Sequence, residues 1–291
     1  MLPAPACRCG LIRSDIAQTL RLIHAARATN LVALFFFRIG VGVRMSDAAR
    51  SRGLLASSGL LWTGSIHLVE GIRMSALTLV IGNKNYSSWS LRGWLVASHS
   101  GLAFNEQMLA LQAADFKQQV ARFSPAGRVP VLLVGETAIW DSLAIAEYLA
   151  ELEPGLWPTS VLDRAKARAI SAEMHAGFPA LRQQMPMNVR AVGRTVPSTP
   201  ALEADIARIV AIWETCRREH LRQGPWLFGR WSIADAMFAP VAARFRTYGV
   251  SLPVLAAEYL VTALSDPALL DWAVAAQEEP TLPDSEVGLP N

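Results

Sequence analysis

Between Leu77 and Pro154 the spacing of apolar residues switches repeatedly between the period of a strand and that of a helix, and after Pro158 it never returns to a strand's. No other feature constrains the fold as strongly, because every strand of a sheet must then come from one short stretch and the rest must pack as helices. LTLVIG (Leu77 to Gly82) reads as a buried strand, SLRGWLVASHSG as a helix stopped by Gly101, and FNEQMLAL as a second strand. AADFKQQVARFSP is helical as far as Pro125; VPVLLVG and TAIW are short strands split by Gly135 and Glu136; SLAIAEYLAELEP is a further helix. The order is β-α-β-α-β-β-α. Beyond PGLWP (Pro154 to Pro158), helical patterns occupy about 161–184, 200–223, 233–248 and 253–276. The expected organisation is an α/β domain over 74–154, a linker over 155–160, an all-α domain over 161–276 and a tail over 277–291.

A hydrophobic content of 52% and a charged content of 18% in 291 residues speak against disorder and leave ample material for a core. The net charge of +3 hides an asymmetry: residues 1–73 carry nine Arg, no Lys and three acids, so the positive excess lies outside the part with strand and helix periods. The basic balance therefore does not argue for nucleic acid. LVALFFFRIGVGV (Leu31 to Val43) is apolar for only thirteen residues and contains Arg38, short and charged for a membrane span, and the first fifteen residues lack the layout of a secretory signal. Three readings of residues 1–73 stay open: a membrane anchor, a targeting or regulatory segment, or a poorly structured extension upstream of a misplaced start codon, with Met74 as the natural start. The composition favours the last. Cys7 and Cys9 fall in that extension, which leaves Cys216 alone in the body, with no partner for a disulfide there. The histidines (24, 67, 99, 175 and 220) show no ligand spacing, so no metal is expected.

Three stretches carry candidate chemistry. KNYSSWSLRGW places Ser87 and Ser88 where a strand ends and a helix begins; free N–H groups and a partial positive charge there suit an anion, and a serine there also suits simple capping. RVPVLL puts Pro130 directly before a strand: either it only opens the strand, or a cis Val129–Pro130 bond turns the Val129 backbone outward to pair with an extended peptide. WDSLAIAEYLAE sets Asp141 and Ser142 at another helix start, an ordinary cap or a clamp in which hydroxyl and N–H groups hold a carboxylate while the acid holds an ammonium.

In this order and on this frame, the stretches resemble the glutathione transferase family, over about Leu77 to Ala276. SSWSLR looks like the SSCSWR signature of the zeta, or maleylacetoacetate isomerase, class; PAGRVPVLL is similar to the cis-proline loop, DSLAIAEYLAE to the (Q/E)SLAI-EYL helix start, and SIADAMFAP to the capping box of a buried helix, here Ser232 and Asp235. The resemblance, nearest to bacterial serine-type and zeta members, implies a thioredoxin-like amino-terminal domain and a helical second domain. It implies glutathione as cosubstrate, a small hydrophobic electrophile, a cytoplasmic homodimer and a detoxifying transferase, or glutathione-dependent isomerisation. A binding or interaction module on the same fold is the alternative. Ser87 would donate a hydrogen bond to the glutathione thiolate, with Ser88 as a fallback and Tyr86 as a rival. Val129 would pair with the cysteinyl backbone next to Pro130, Asp141 and Ser142 would hold the γ-glutamyl end, and Arg128 or Lys117 would meet the glycine carboxylate. Two departures stand out: Trp89 replaces the signature cysteine and Asp141 the usual Gln or Glu. On AISAEMHAGFPALRQQMPMNVR, Met174, Phe178, Leu181 and Met185 recur at helical spacing and are expected to pack in the core, while His175 and Arg182 are candidates for the polar edge of the electrophile's cleft.

Overall fold

The structure, a computed structural model, describes residues 76–288; the readings of residues 1–73, of Met74 and of the end of the tail lie outside them. Strand β1 (Leu77–Gly82) pairs in parallel with β2 (Phe104–Leu109) and antiparallel with β3 (Val131–Val134), which pairs antiparallel with β4 (Thr137–Trp140). The sheet order is β2-β1-β3-β4. Alternation along β1 sends Leu79 and Ile81 to one face and Val80 to the other. Leu79 and Ile81 meet Leu91 and Leu95 of α1 (Ser88–His99) and Ile145 and Leu149 of α3 (Ser142–Leu152), whereas Val80 meets Val120 of α2 (Phe116–Ala121).

Helices α4 (Val161–Ala176), α5 (Pro179–Gln184), α6 (Pro200–His220), α7 (Ile233–Thr247), α8 (Val254–Leu264) and α9 (Pro267–Ala275) follow. Two stretches that read as single helices are broken. Gly177 and Phe178, the latter at φ 63°, separate α4 from α5, with Pro179 at the new start. Asp266 caps a fresh helix whose first residue is Pro267, so α8 and α9 are distinct. Met174, Phe178, Leu181 and Met185 are all buried, as helical spacing implies. None of the described helices is long and apolar enough to cross a membrane.

Helix α7 is buried almost throughout, and its start is held by the capping box of Ser232 and Asp235. Asp235 accepts from the N–H groups of Ser232 (2.8 Å) and Leu227 (3.2 Å) and from the hydroxyl of Tyr259 (3.1 Å). Burial pushes its carboxyl up to about 6 against the pull of these donors. Asp235→Ala leaves several buried donors unmatched and should cost at least about 2 kcal/mol in a denaturant titration. Because folding raises this carboxyl's pKa, its proton-linked contribution is full below 3.8 and is lost as pH rises through 6. Stability curves of the wild type should carry that decline, and those of Asp235→Asn should not.

Candidate active site

The loop from Asn83 to Ser87 leads from β1 into α1 and is held from all sides. Glu279 accepts from the backbone N–H of Lys84 (2.6 Å) and of Asn85 (2.9 Å), and the indole of Trp272 donates to the Lys84 carbonyl (2.7 Å). The Tyr86 hydroxyl donates to Glu286 (2.6 Å) and accepts from Leu282 N (3.0 Å) and Arg190 (3.1 Å). Tyr86 is thereby an anchor for the chain's last described segment, with its oxygen fully engaged. Ser87 is the N-cap of α1: its hydroxyl accepts from Ser90 N (3.4 Å) and donates to Ser90 Oγ (2.8 Å), which itself accepts from Gly82 N (3.0 Å). Ser87 and Ser88 are both buried at the helix start, and neither lines the neighbouring cleft.

That cleft, about 390 Å³ in volume, is lined by Val129, Pro130, Asp141 and Ser142, with Arg128, Trp89, Trp140 and His175 completing most of its wall. Of the residues expected to bind the peptide ligand, it brings together Arg128, Val129, Pro130, Asp141 and Ser142. The Val129–Pro130 bond is cis, and Gly93 of α1 faces the proline ring: a Cβ at that position would come within 3.3 Å of Pro130 Cγ. Asp141 caps α3 at φ 76°, a conformation that side chains rarely adopt, and accepts from Leu143 N at 2.8 Å. The Ser142 hydroxyl is buried and has no protein partner. Arg128 lies at the cleft, while Lys117 stands exposed on α2 away from the lining.

Trp89 forms the wall between this cleft and the helices behind it. The guanidinium carbons of Arg92 and Arg182 each lie 4.7 Å from its ring centroid, and the His175 ring meets it edge-on at 5.1 Å. Arg92 is fully buried with no hydrogen-bond acceptor for its side-chain nitrogens, so desolvation, with the Arg182 and Arg244 charges, holds its pKa well below the ordinary value. Arg182 is turned away from the cleft, donating to the carbonyls of Gly177 (2.9 Å) and Met174. Of the three described histidines, His99 binds Asp266 and His220 lies by Asp163, leaving His175 as the one at the cleft. Among the described residues no group of His, Cys, Asp and Glu could hold a metal ion. Cys216 is buried and its thiol is pushed up to about 12 by desolvation, which removes it from nucleophilic chemistry.

Family models for the glutathione S-transferase N-terminal and C-terminal domains match residues 86–152 and 199–275. The chain belongs to the glutathione S-transferase family. A curated relative, the probable maleylacetoacetate isomerase of Caenorhabditis elegans, is 32% identical over 96 residues, 32% of this chain and 44% of its own length. The uncharacterized GST-like protein YibF of Escherichia coli (strain K12) is 40% identical over 72 residues, 22% of this chain and 36% of its own. The chain thus spans less than half the length of either relative. A crystal structure of a glutathione transferase homolog from Burkholderia GL BGR1, with bound glutathione, matches with a TM-score of 0.54 at 21% identity, covering 70% of this chain and all of that one, a likeness of fold.

Two features of this glutathione S-transferase chain carry no functional signal in the sequence alone. Trp140, directly before Asp141, was readable only as the end of a strand, and its half-exposed ring faces the cleft. Glu279 and Glu286 lie nearly two hundred residues from the loop they bind, with no local signal of that contact. Tyr86→Phe should lower the melting temperature, since Glu286 and Leu282 lose a partner worth about 1–2 kcal/mol, while ligand affinity at the cleft, read by calorimetry, should stay within a few-fold.

Proposed function

We propose that this protein is a glutathione transferase that joins the glutathione sulfur to small electrophiles, with residues 74–154 as the glutathione-binding domain and residues 161–276 supplying the electrophile's outer wall. One observation carries the reading: a solvent-reachable carboxylate (Asp141) and a buried hydroxyl without a protein partner (Ser142) share one cleft with Val129 and the cis Pro130. An ammonium and a carboxylate on one carbon match that pair, and an extended peptide matches the Val129 backbone. Arg128 at the rim fits the carboxylate at the ligand's other end.

Glutathione supplies the nucleophile, a thiol that at its free pKa of about 8.5 is mostly protonated at neutral pH. The protein's part is to favour the thiolate and to hold it. The start of α1 offers the positive end of a helix dipole, and Ser87 offers a hydroxyl once it turns from Ser90, a rotation about one side-chain bond. Trp89 and Trp140 give the electrophile flat apolar surfaces, and holding both reactants in one cleft supplies the proximity term. The sulfur then bonds to the electrophilic carbon, and the leaving group departs with the bonding electron pair.

A second reading, glutathione-dependent isomerisation, is favoured by the likeness to the C. elegans protein. Trp89, in place of the zeta signature's cysteine, weighs toward transfer. Retention on immobilised glutathione, followed by assay with a chlorinated aromatic acceptor, tests the proposal; a folded protein that fails to bind would return it to the interaction-module class. Ser87→Ala should keep glutathione affinity and lose ten- to a hundredfold in turnover, the value of about 1.5–3 kcal/mol for a hydrogen bond to a charged group. Ser88→Ala should lose less; the opposite ranking would move the thiolate contact to Ser88. Asp141→Asn, which keeps the α3 cap and tolerates the positive φ but removes the charge, should weaken glutathione binding and leave the melting temperature of the ligand-free protein nearly unchanged.

A further inference from the structure

Asp141 divides its carboxylate between two partners. Oδ1 accepts from Leu143 N at 2.8 Å, and Oδ2 lies 3.1 Å from Nε2 of His175, a residue of α4. With Asp141 ionised, the imidazole proton belongs on Nε2. The other nitrogen, Nδ1, is buried and meets no acceptor. The charged groups facing the ring from the elements packed around it are Arg92 of α1, Arg182 of α5 and Asp141 at the head of α3. Arg244 of α7 stands behind, its charge acting on Arg92 and Arg182. A second proton on the imidazole would place an N–H where nothing accepts it, in the field of two guanidiniums. Burial accordingly lowers the His175 pKa below its ordinary 6.5, with the two arginines adding to that shift and Asp141 opposing it.

We infer that His175 is a positioning residue for the recognition of a ligand ammonium: as a neutral donor it aims the Asp141 carboxylate into the cleft and leaves its negative charge uncancelled. A cationic donor at the same place would form a full ion pair and compete with the ligand for that charge. A residue without a donor would leave the carboxylate held at one oxygen only. The Asp141 side chain keeps 44% of its surface exposed, enough to meet an ammonium from solvent. The inference rests on the glutathione reading, in which the ammonium is that of the γ-glutamyl end.

Calorimetry with S-methylglutathione, whose sulfur carries no titrating proton, and with its des-amino analogue tests this on the full chain. His175→Ala should weaken S-methylglutathione about tenfold, and His175→Gln, which restores a neutral donor, should bring affinity back to within about threefold of wild type. His175→Lys should bind no better than His175→Ala despite having a donor. The des-amino analogue should bind all four proteins alike. Wild-type affinity for S-methylglutathione should be level from pH 8 to 6.5 and fall only below that, a fall absent from His175→Gln. Equal affinity across the four proteins, a lysine variant that binds as well as wild type, or equal losses on both ligands, the mark of a merely structural residue, would overturn the inference. A wild-type protein that binds neither compound marks instead the failure of the glutathione site, and the inference falls with it.

Discussion

Helix α1 is the constraint around which the rest of the molecule is arranged, because it has almost no solvent face. Its Leu91, Leu95 and Val96 pack in the core that joins the sheet to the helices, and the same burial takes Ser90 and Arg92 out of water. Burying a guanidinium without a carboxylate beside it is costly, and the stacking of Arg92 against Trp89 offsets part of that cost. The helix start is then fixed to within a rotamer: its cap hydroxyl is bonded to Ser90, its following turn is packed, and Gly93 gives the Pro130 loop its place against the helix. The candidate cleft beside it is thus bounded on this side by an element with little freedom to move.

Most of the fold was legible because each strand and helix states its own period. Leu79 and Ile81 alternate with Val80, and the sheet puts them on opposite faces. The helical half was less legible at its breaks. A hydrophobic repeat continues through Gly177 and Phe178 and again through Ser265 and Asp266, so periodicity alone joins helices that the backbone separates. The local cues, Pro179 and Pro267, were present, and they mark a helix start only when the residue before them leaves the helical region.

The candidate site was legible where neighbours in sequence are neighbours in space. Arg128, Val129 and Pro130 are one loop and Asp141 and Ser142 one helix start, and the cleft joins the two through the β3–β4 hairpin. The orientation of side chains was not legible. Nothing local says that the Ser87 hydroxyl bonds inward, that Arg182 turns to the carbonyls at the end of α4, or that His175 reaches Asp141 from another domain. Those outcomes depend on which helix lands where, and that is decided by packing between segments far apart in the chain.

The bonds from Glu279 and Glu286 to the Lys84–Tyr86 loop give the site an order of assembly in time. A ribosome delivers the loop early and its two carboxylate anchors some two hundred residues later. Until those residues emerge, the strands exist with this loop untied, and an amino-terminal fragment would carry the loop without the bonds that hold it. The turn between β1 and α1 therefore takes its final fastening only after α9 has been made, so the shape of a loop from the start of the fold is settled by carboxylates that follow its last helix.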